Sequence, residues 1–215
     1  MADDTQIDLL DSRGNGLFVS CDWENDRFVH TVGIIADTTR IPLLRSREGL
    51  PDETWPSSPP LQQVSKQLVD QSPALLGLGM AGKSHYSTSF LLSDPSEKNE
   101  LQLIVESACS INDDVRKNQA EEISLSSSYT LLPGIESSHG TSDTIQVRQS
   151  SASDLPGISL EVLRGTLSHQ ADGGTVGNKL AANSLVIAPA DCLQEKTTQW
   201  SYRLQLTVND VSTNL

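Results

Sequence analysis

Residues Gly77 to Leu92 read GLGMAGKSHYSTSFLL. The fold class depends on whether a helix or a strand follows the glycines. The first eight letters, Gly77 to Ser84, match the phosphate-binding pattern G-x-x-x-x-G-K-S. In such a P-loop, backbone N–H groups surround the phosphates, while the lysine contacts phosphate oxygens and the serine binds Mg²⁺. The pattern functions only where a helix begins at the loop, because the helix N-terminus supplies the field that holds the anion.

The residues after the glycines favour a strand. From His85 to Ser93 the side chains alternate between two faces, whereas a helix would show a period of about 3.6 residues. The rest of the chain lacks the strand–helix rhythm that a parallel nucleotide-binding sheet requires. We therefore predict a glycine-rich bend between two strands. The alternative is a P-loop-like nucleotide-binding enzyme that uses Lys83 and Ser84.

Alternating apolar side chains also predict two hairpins. The first joins segment 17–24 to segment 27–35 through a two-residue turn, and the second joins 83–92 to 101–111. The face on which each side chain lies is well specified in both hairpins, because a slip of one residue would move every apolar group to the wrong face. We call this assignment of side chains to faces the parity of the strand. Further strands are predicted at 124–131, 144–147, 158–168, 180–188 and 199–209.

Segment 60–69 is the one helix candidate, because Leu61, Val64 and Leu68 recur at helical spacing. A polar strand is the competing interpretation of these residues. Many short strands with so little helix predict a mainly β protein, an antiparallel sandwich or an open barrel with at most one short helix. The predicted organisation is a flexible N-terminal arm (1–15), a single β domain (16–209) and a C-terminal tail (210–215).

Composition argues against several kinds of partner. The chain has 215 residues and a formal net charge of -13, from 28 acidic and 15 basic residues. That field repels phosphate backbones, and no basic stripe offsets it, so we predict no nucleic-acid partner. No apolar run approaches the roughly 18 residues of a membrane span. An acidic, polar start and three cysteines without a C-x-x-C pair predict a cytoplasmic protein with reduced thiols.

Two pairs of side chains raise the question of catalysis or metal binding. Cys21 lies opposite His30 in the first hairpin, but two ligands do not make a metal site, and a buried cysteine acting as a small hydrophobe is the preferred interpretation. His85 shares a polar face with Glu106, and an exposed hydrogen bond or ion pair is preferred there over an acid–base pair. We therefore predict no catalytic residues, no metal and no cofactor.

A ligand-binding site, if the chain has one, is expected around the glycine-rich bend, where glycines allow close backbone approach. Trp55, which lies among prolines, is an aromatic candidate for stacking on a sugar or anchoring a partner. The residues in this candidate site are Gly79, Gly82, Lys83, Ser84, His85 and Trp55.

Three segments resemble a family of uncharacterised bacterial proteins. Gly79–Ser87 is similar to the family's G-M-A-G-[KR]-S-H-W-S segment, with Tyr86 in place of tryptophan. Trp55–Gln62 resembles its W-P-x-S-P-P-L-Q segment, and Val105–Cys109 resembles a D-V-A-C-like strand. The family has no assigned activity, so the resemblance implies no function. Its acceptance of arginine at position 83 weakens the P-loop interpretation.

Together these observations predict a cytoplasmic binding or scaffold module without catalysis. The runner-up is the nucleotide-binding enzyme described above. A third interpretation is a subunit interface, in which an exposed strand edge pairs with another copy of the chain.

Overall fold

The computed structural model describes residues 4–94, 101–118, 123–139, 144–150, 155–171, 183–190 and 196–207. Within these residues the chain forms fifteen strands and one short helix, α1 (Asp113–Asn118). The strands are β1 (Gln6–Leu10), β2 (Gly16–Glu24), β3 (Arg27–Ala36), β4 (Thr39–Ser46), β5 (Gln63–Val69), β6 (Ser72–Ala81), β7 (Ser84–Ser93), β8 (Gln102–Ser110), β9 (Ser127–Leu131), β10 (Ile135–His139), β11 (Thr144–Gln149), β12 (Gly157–Arg164), β13 (Thr166–Ala171), β14 (Asn183–Ala188) and β15 (Thr197–Thr207).

Two antiparallel sheets pack face to face and do not close into a barrel. One sheet has the order β1-β2-β3-β4-β9-β14-β13, and the other has the order β10-β11-β12-β15-β8-β7-β6-β5. The prediction of a mainly β, antiparallel sandwich with at most one short helix is therefore confirmed. The inward faces of the two sheets form one core, whose largest buried aromatic side chains are Trp200, Tyr129, Tyr202 and Phe90.

The predicted hairpins are present with the expected parity. In the β2–β3 hairpin Glu24 pairs with Arg27 across a two-residue turn, and Cys21 lies opposite His30. Asn25 in that turn has a φ of 58°, a conformation that asparagine tolerates better than most residues. Strand β7 alternates between buried and more exposed residues along its whole length and pairs with β8 on one side and β6 on the other.

The helix candidate at 60–69 is wrong, because this segment contributes the edge strand β5, paired along its length with β6. The competing interpretation, a polar strand, is the one that the structure shows. The helical spacing was accidental, since Leu61 enters the core ahead of the strand while Leu68 is 74% exposed. The prediction that an exposed edge pairs with another chain stays a prediction.

Segment 158–168 divides into two strands that belong to different sheets, so the prediction of one continuous strand there is wrong. The division falls at Gly165, which has a φ of +128° and whose added Cβ would lie 2.3 Å from the carbonyl oxygen of Ala188. Both features require glycine, and together they let the chain cross from β12 to β13.

Regular structure begins inside the segment predicted as a flexible arm. Strand β1 pairs with β2, and its Ile7 side chain is buried in the core. The predicted tail at 210–215 lies outside the described residues. A membrane-crossing helix, judged by length and apolar character, does not occur in the described part of the chain.

Candidate functional site

The glycine-rich segment forms the β6–β7 hairpin. Ala81 pairs with Ser84, so Gly82 and Lys83 alone form the connecting loop, and Gly82 has a φ of +55°. A positive φ at the first loop position is the arrangement of a type II′ turn, which favours glycine. Ser84 begins strand β7 and is buried, so the helix that a P-loop needs is replaced by a strand.

Gly77 and Gly79, the other two glycines of the segment, let residues 60–62 pass closely over strand β6. A Cβ added to Gly79 would lie 1.5 Å from the carbonyl oxygen of Pro60, and one added to Gly77 would lie 2.8 Å from the Leu61 side chain. The Gln62 backbone N–H donates to the Leu78 carbonyl (2.8 Å). These two glycines are thus explained by packing within the chain.

The predicted site residues do not form one site. Lys83 and His85 line a pocket of about 320 Å³ together with acidic residues of α1. Trp55 lines a different pocket of about 470 Å³, among serines and Glu53. His85 lies opposite Ser110, whereas Glu106 lies opposite Ser89, so the histidine and this carboxylate are separated along the sheet.

A further cavity, of about 360 Å³, lies on the outer face of the eight-stranded sheet. We call it the sheet trough. It crosses β6, β7, β8, β15 and β12 in that order, and the β6–β7 hairpin supplies one of its ends. Two rows of outward side chains define it, Leu76–Ser89–Glu106–Ser201–Arg164 and Leu78–Ser87–Ala108–Gln199.

The trough exists because short side chains occupy its middle. Ser87, Ser89, Ala108 and Ser201 are short, and the longer outward side chains on β8 and β15 are those of Glu106 and Gln199. Larger residues stand at the two ends. On β6 the Leu78 side chain is 54% exposed, and on β12 Arg164 is exposed and donates from Nη1 to the Gln199 Oε1 atom (2.6 Å).

The trough brings together several kinds of hydrogen-bonding group. The outward hydroxyls of Ser87, Ser89 and Ser201 both donate and accept. The exposed carboxylate of Glu106 accepts, and the Arg164 guanidinium donates. The Gln199 amide offers a donor and an acceptor. Leu76 and Leu78 supply an apolar surface at the β6 end.

The sequence did not predict this trough as a site, since none of the six predicted site residues lines it. The alternation in segments 84–93 and 199–207 does indicate a polar face that carries the outward serines, and this is the sequence pattern from which the trough could have been inferred. Arg164 was missed, because treating 158–168 as a single strand gives no reason for it to border a cavity.

The Cys21–His30 pair lies in the core and not in a cavity. His30 is 2% exposed, its Nε2 lies 2.7 Å from the Tyr129 hydroxyl, and Tyr129 in turn contacts the Tyr202 hydroxyl. Burial lowers the pKa of His30 to about 3 and raises the pKa of Tyr129. This histidine is therefore a neutral part of a buried hydrogen-bond chain between the sheets.

Among the residues that the structure describes, no group of three or more His, Cys, Asp or Glu side chains is arranged to hold a metal ion. Comparison of the chain with protein-family models, with curated proteins and with solved structures finds no match. The resemblance of its three segments to a bacterial family stays a prediction.

Proposed function

We propose that the chain is a non-catalytic binding module that holds a neutral oligosaccharide in the sheet trough. The observation that carries the proposal is the set of hydroxyl, carboxylate, amide and guanidinium groups that face one cavity along four adjacent strands, beside the leucines of β6. The proposal keeps the predicted binding module but moves its site, since the predicted Trp55, Lys83 and His85 lie in other pockets.

The chemistry of the trough favours hydroxyl-bearing ligands. Glu106 accepts hydrogen bonds, Arg164 has N–H groups besides the one bonded to Gln199, and the serines both donate and accept. A hydroxyl group can be donor and acceptor at once, so one polyhydroxylated molecule satisfies every position. The C–H faces of a sugar ring would pack on Leu76 and Leu78 at the apolar end.

The size and charge of the trough narrow the ligand further. Adjacent strands lie about 4.8 Å apart, so the four steps from β6 to β12 span about 19 Å, longer than a single sugar ring. A formal net charge of -13 disfavours anionic ligands, and one exposed arginine does not reverse that field. A neutral, elongated saccharide fits both conditions.

Isothermal titration with a panel of neutral di- to hexasaccharides tests this proposal. We expect at least one member to bind, and Glu106→Ala to weaken that binding about tenfold, which corresponds to about 1.4 kcal/mol. The matched control is Asp22→Ala, which removes an exposed carboxylate from a strand of the other sheet and should leave binding unchanged.

A second pair of variants tests the position of the ligand. Ser87→Phe places a ring in the middle of the trough and should abolish binding, while Thr39→Phe places the same ring on an exposed position of β4 and should not. Both positions are exposed, so we expect the free energy of unfolding to change by no more than about 0.5 kcal/mol. Failure of the whole panel to bind, or binding that Ser87→Phe leaves intact, would contradict the proposal.

A further inference from the structure

Another pocket, of about 210 Å³, lies beside the turn of the β2–β3 hairpin and is lined by Arg27, Ser46 and Glu48 among others. It belongs to the seven-stranded sheet and shares no lining residue with the sheet trough. With about 30 Å³ for each water molecule, it has room for several waters or for one small organic molecule.

Arg27 presents a buried donor that the described protein atoms leave unused. Its side chain is only 5% exposed, and Asp26 accepts from Nε (2.9 Å) and from Nη2 (3.0 Å). Nη1 is buried, and no described residue accepts a hydrogen bond from it. A guanidinium is always charged, so this N–H cannot be neutralised by losing a proton.

Glu48 presents the complementary feature. Its Oε1 accepts from the Ser46 hydroxyl (2.6 Å), and the same Ser46 oxygen accepts from the His30 backbone N–H (3.0 Å), which holds the carboxyl in place. Oε2 is buried and has no partner among the described residues. Burial raises the pKa of Glu48 to about 7, against the lowering effect of the Ser46 hydrogen bond and of nearby Arg27.

Charge distinguishes Glu48 from the other acids of the pocket. Asp26 is paired with Arg27, and Glu24 is paired with Arg45, so Glu48 is the pocket carboxylate that lacks a salt bridge among the described residues. Above pH 7, where Glu48 is ionised, a cation would find its counter-ion there. A bare metal ion would also face the Arg27 guanidinium, which disfavours it.

We propose that this pocket binds a small zwitterionic α-amino acid, with its carboxylate on Arg27 Nη1 and its ammonium group on Glu48 Oε2. Such a molecule brings an acceptor and a donor a few bonds apart, and it adds no net charge to the pocket. Both unpaired buried groups then gain a charge-assisted hydrogen bond, which is stronger than a bond between neutral groups.

The test uses three probes of similar size. L-Alanine carries both groups, ethylamine carries only the ammonium group, and propionate carries only the carboxylate. We expect L-alanine to bind at least tenfold more tightly than either half-probe, measured by isothermal titration with ligand-observed NMR as a second readout.

Variants then assign the binding to this pocket. Glu48→Gln keeps the shape and the Ser46 hydrogen bond but removes the counter-ion, and it should weaken L-alanine binding at least tenfold. Glu136→Gln, an exposed carboxylate on β10, is the matched control and should bind as the unaltered chain does. Arg27→Lys should also weaken binding, and the Glu48 variant keeps the test decisive if Arg27→Lys fails to fold.

Equal affinities for the three probes, no binding of any of them, or L-alanine binding that Glu48→Gln leaves unchanged would overturn the proposal. In the second case, enclosed water is the partner of the two groups. None of these outcomes bears on saccharide binding in the sheet trough, because the pockets are separate and the probes differ.

Discussion

At the scale of single residues, His30 and Glu48 give opposite contributions to stability as the pH changes. His30 has a pKa of about 3 in the folded chain and 6.5 as its ordinary value, so the unfolded chain binds one more proton between these values. Glu48 has a pKa of about 7 when folded and 4.5 ordinarily, so the folded chain binds one more proton between those values. Stability therefore rises with pH through the first window and falls through the second.

We predict that these two slopes largely cancel between pH 4.5 and 6.5 and that Glu48→Gln reveals the histidine. In that variant the free energy of unfolding should rise by about 1.4 kcal/mol per pH unit across the window. Denaturant titrations at several pH values measure it. A Glu48→Gln, His30→Phe double variant is the control and should be nearly flat there, and a flat profile for Glu48→Gln alone would contradict the assignment of His30.

The same substitution has a second consequence above pH 7. The unaltered chain then holds an ionised, buried carboxylate, whereas glutamine carries no charge in that position and keeps an oxygen for Ser46. We expect Glu48→Gln to raise the free energy of unfolding at pH 8 by about 2 kcal/mol. Thermal unfolding at pH 8 and at pH 4 checks this, since the gain should be absent at the lower pH. A variant that loses stability at pH 8 would show that Glu48 is compensated in its charged form.

At the scale of elements, the hairpin made by β6 and β7 accounts for the glycine pattern without a nucleotide. Gly82 makes the turn, and Gly77 and Gly79 allow segment 60–62 to pass over β6. We therefore predict that Mg-ATP and Mg-GTP leave the melting temperature unchanged. The matched control is Lys83→Ala. A rise in melting temperature that this variant abolishes would instead support the P-loop alternative.

A glycine substitution tests the same element through stability. In Gly79→Ala the new Cβ would overlap the backbone oxygen of Pro60, and a backbone atom cannot move aside as the end of a side chain can. We expect a loss of at least about 3 kcal/mol in the free energy of unfolding. The comparison variant is Gly134→Ala, where a positive φ is the cost and no atom lies within 4 Å. It should lose about 1 kcal/mol, and equal losses for the two variants would contradict the close crossing.

The predictions from sequence succeeded where the decisive interactions are local. The β2–β3 register follows from a two-residue turn and from matching apolar side chains, both of which the sequence shows directly. Segment 60–69 is an exception, because its partner β6 follows after a two-residue turn at Asp70 and Gln71. Both turn residues have a positive φ, but neither is glycine, so the sequence did not mark the turn. Gly165 was missed because only the distant Ala188 carbonyl shows why a glycine is needed there.

At the scale of the whole molecule, the candidate site is a property of the sheet and not of a motif. Residues 76, 106, 164 and 199 are far apart in sequence and become neighbours only through the strand order β6-β7-β8-β15-β12. Parity alone predicts that the serines of β7 face outward, but not which strands lie beside them. Predicting the trough therefore requires the strand order of the sheet, whereas predicting the hairpins does not.

The central claim is that a saccharide lies across the strands of the eight-stranded sheet. The most direct measurement follows the backbone amide chemical shifts of the ¹⁵N-labelled chain while an oligosaccharide that bound in the titration panel is added. We expect the largest changes at Ser87, Ser89, Ala108 and Ser201, while β1 to β4 stay unchanged. Changes confined to the seven-stranded sheet, or to the pocket that contains Trp55, would contradict it.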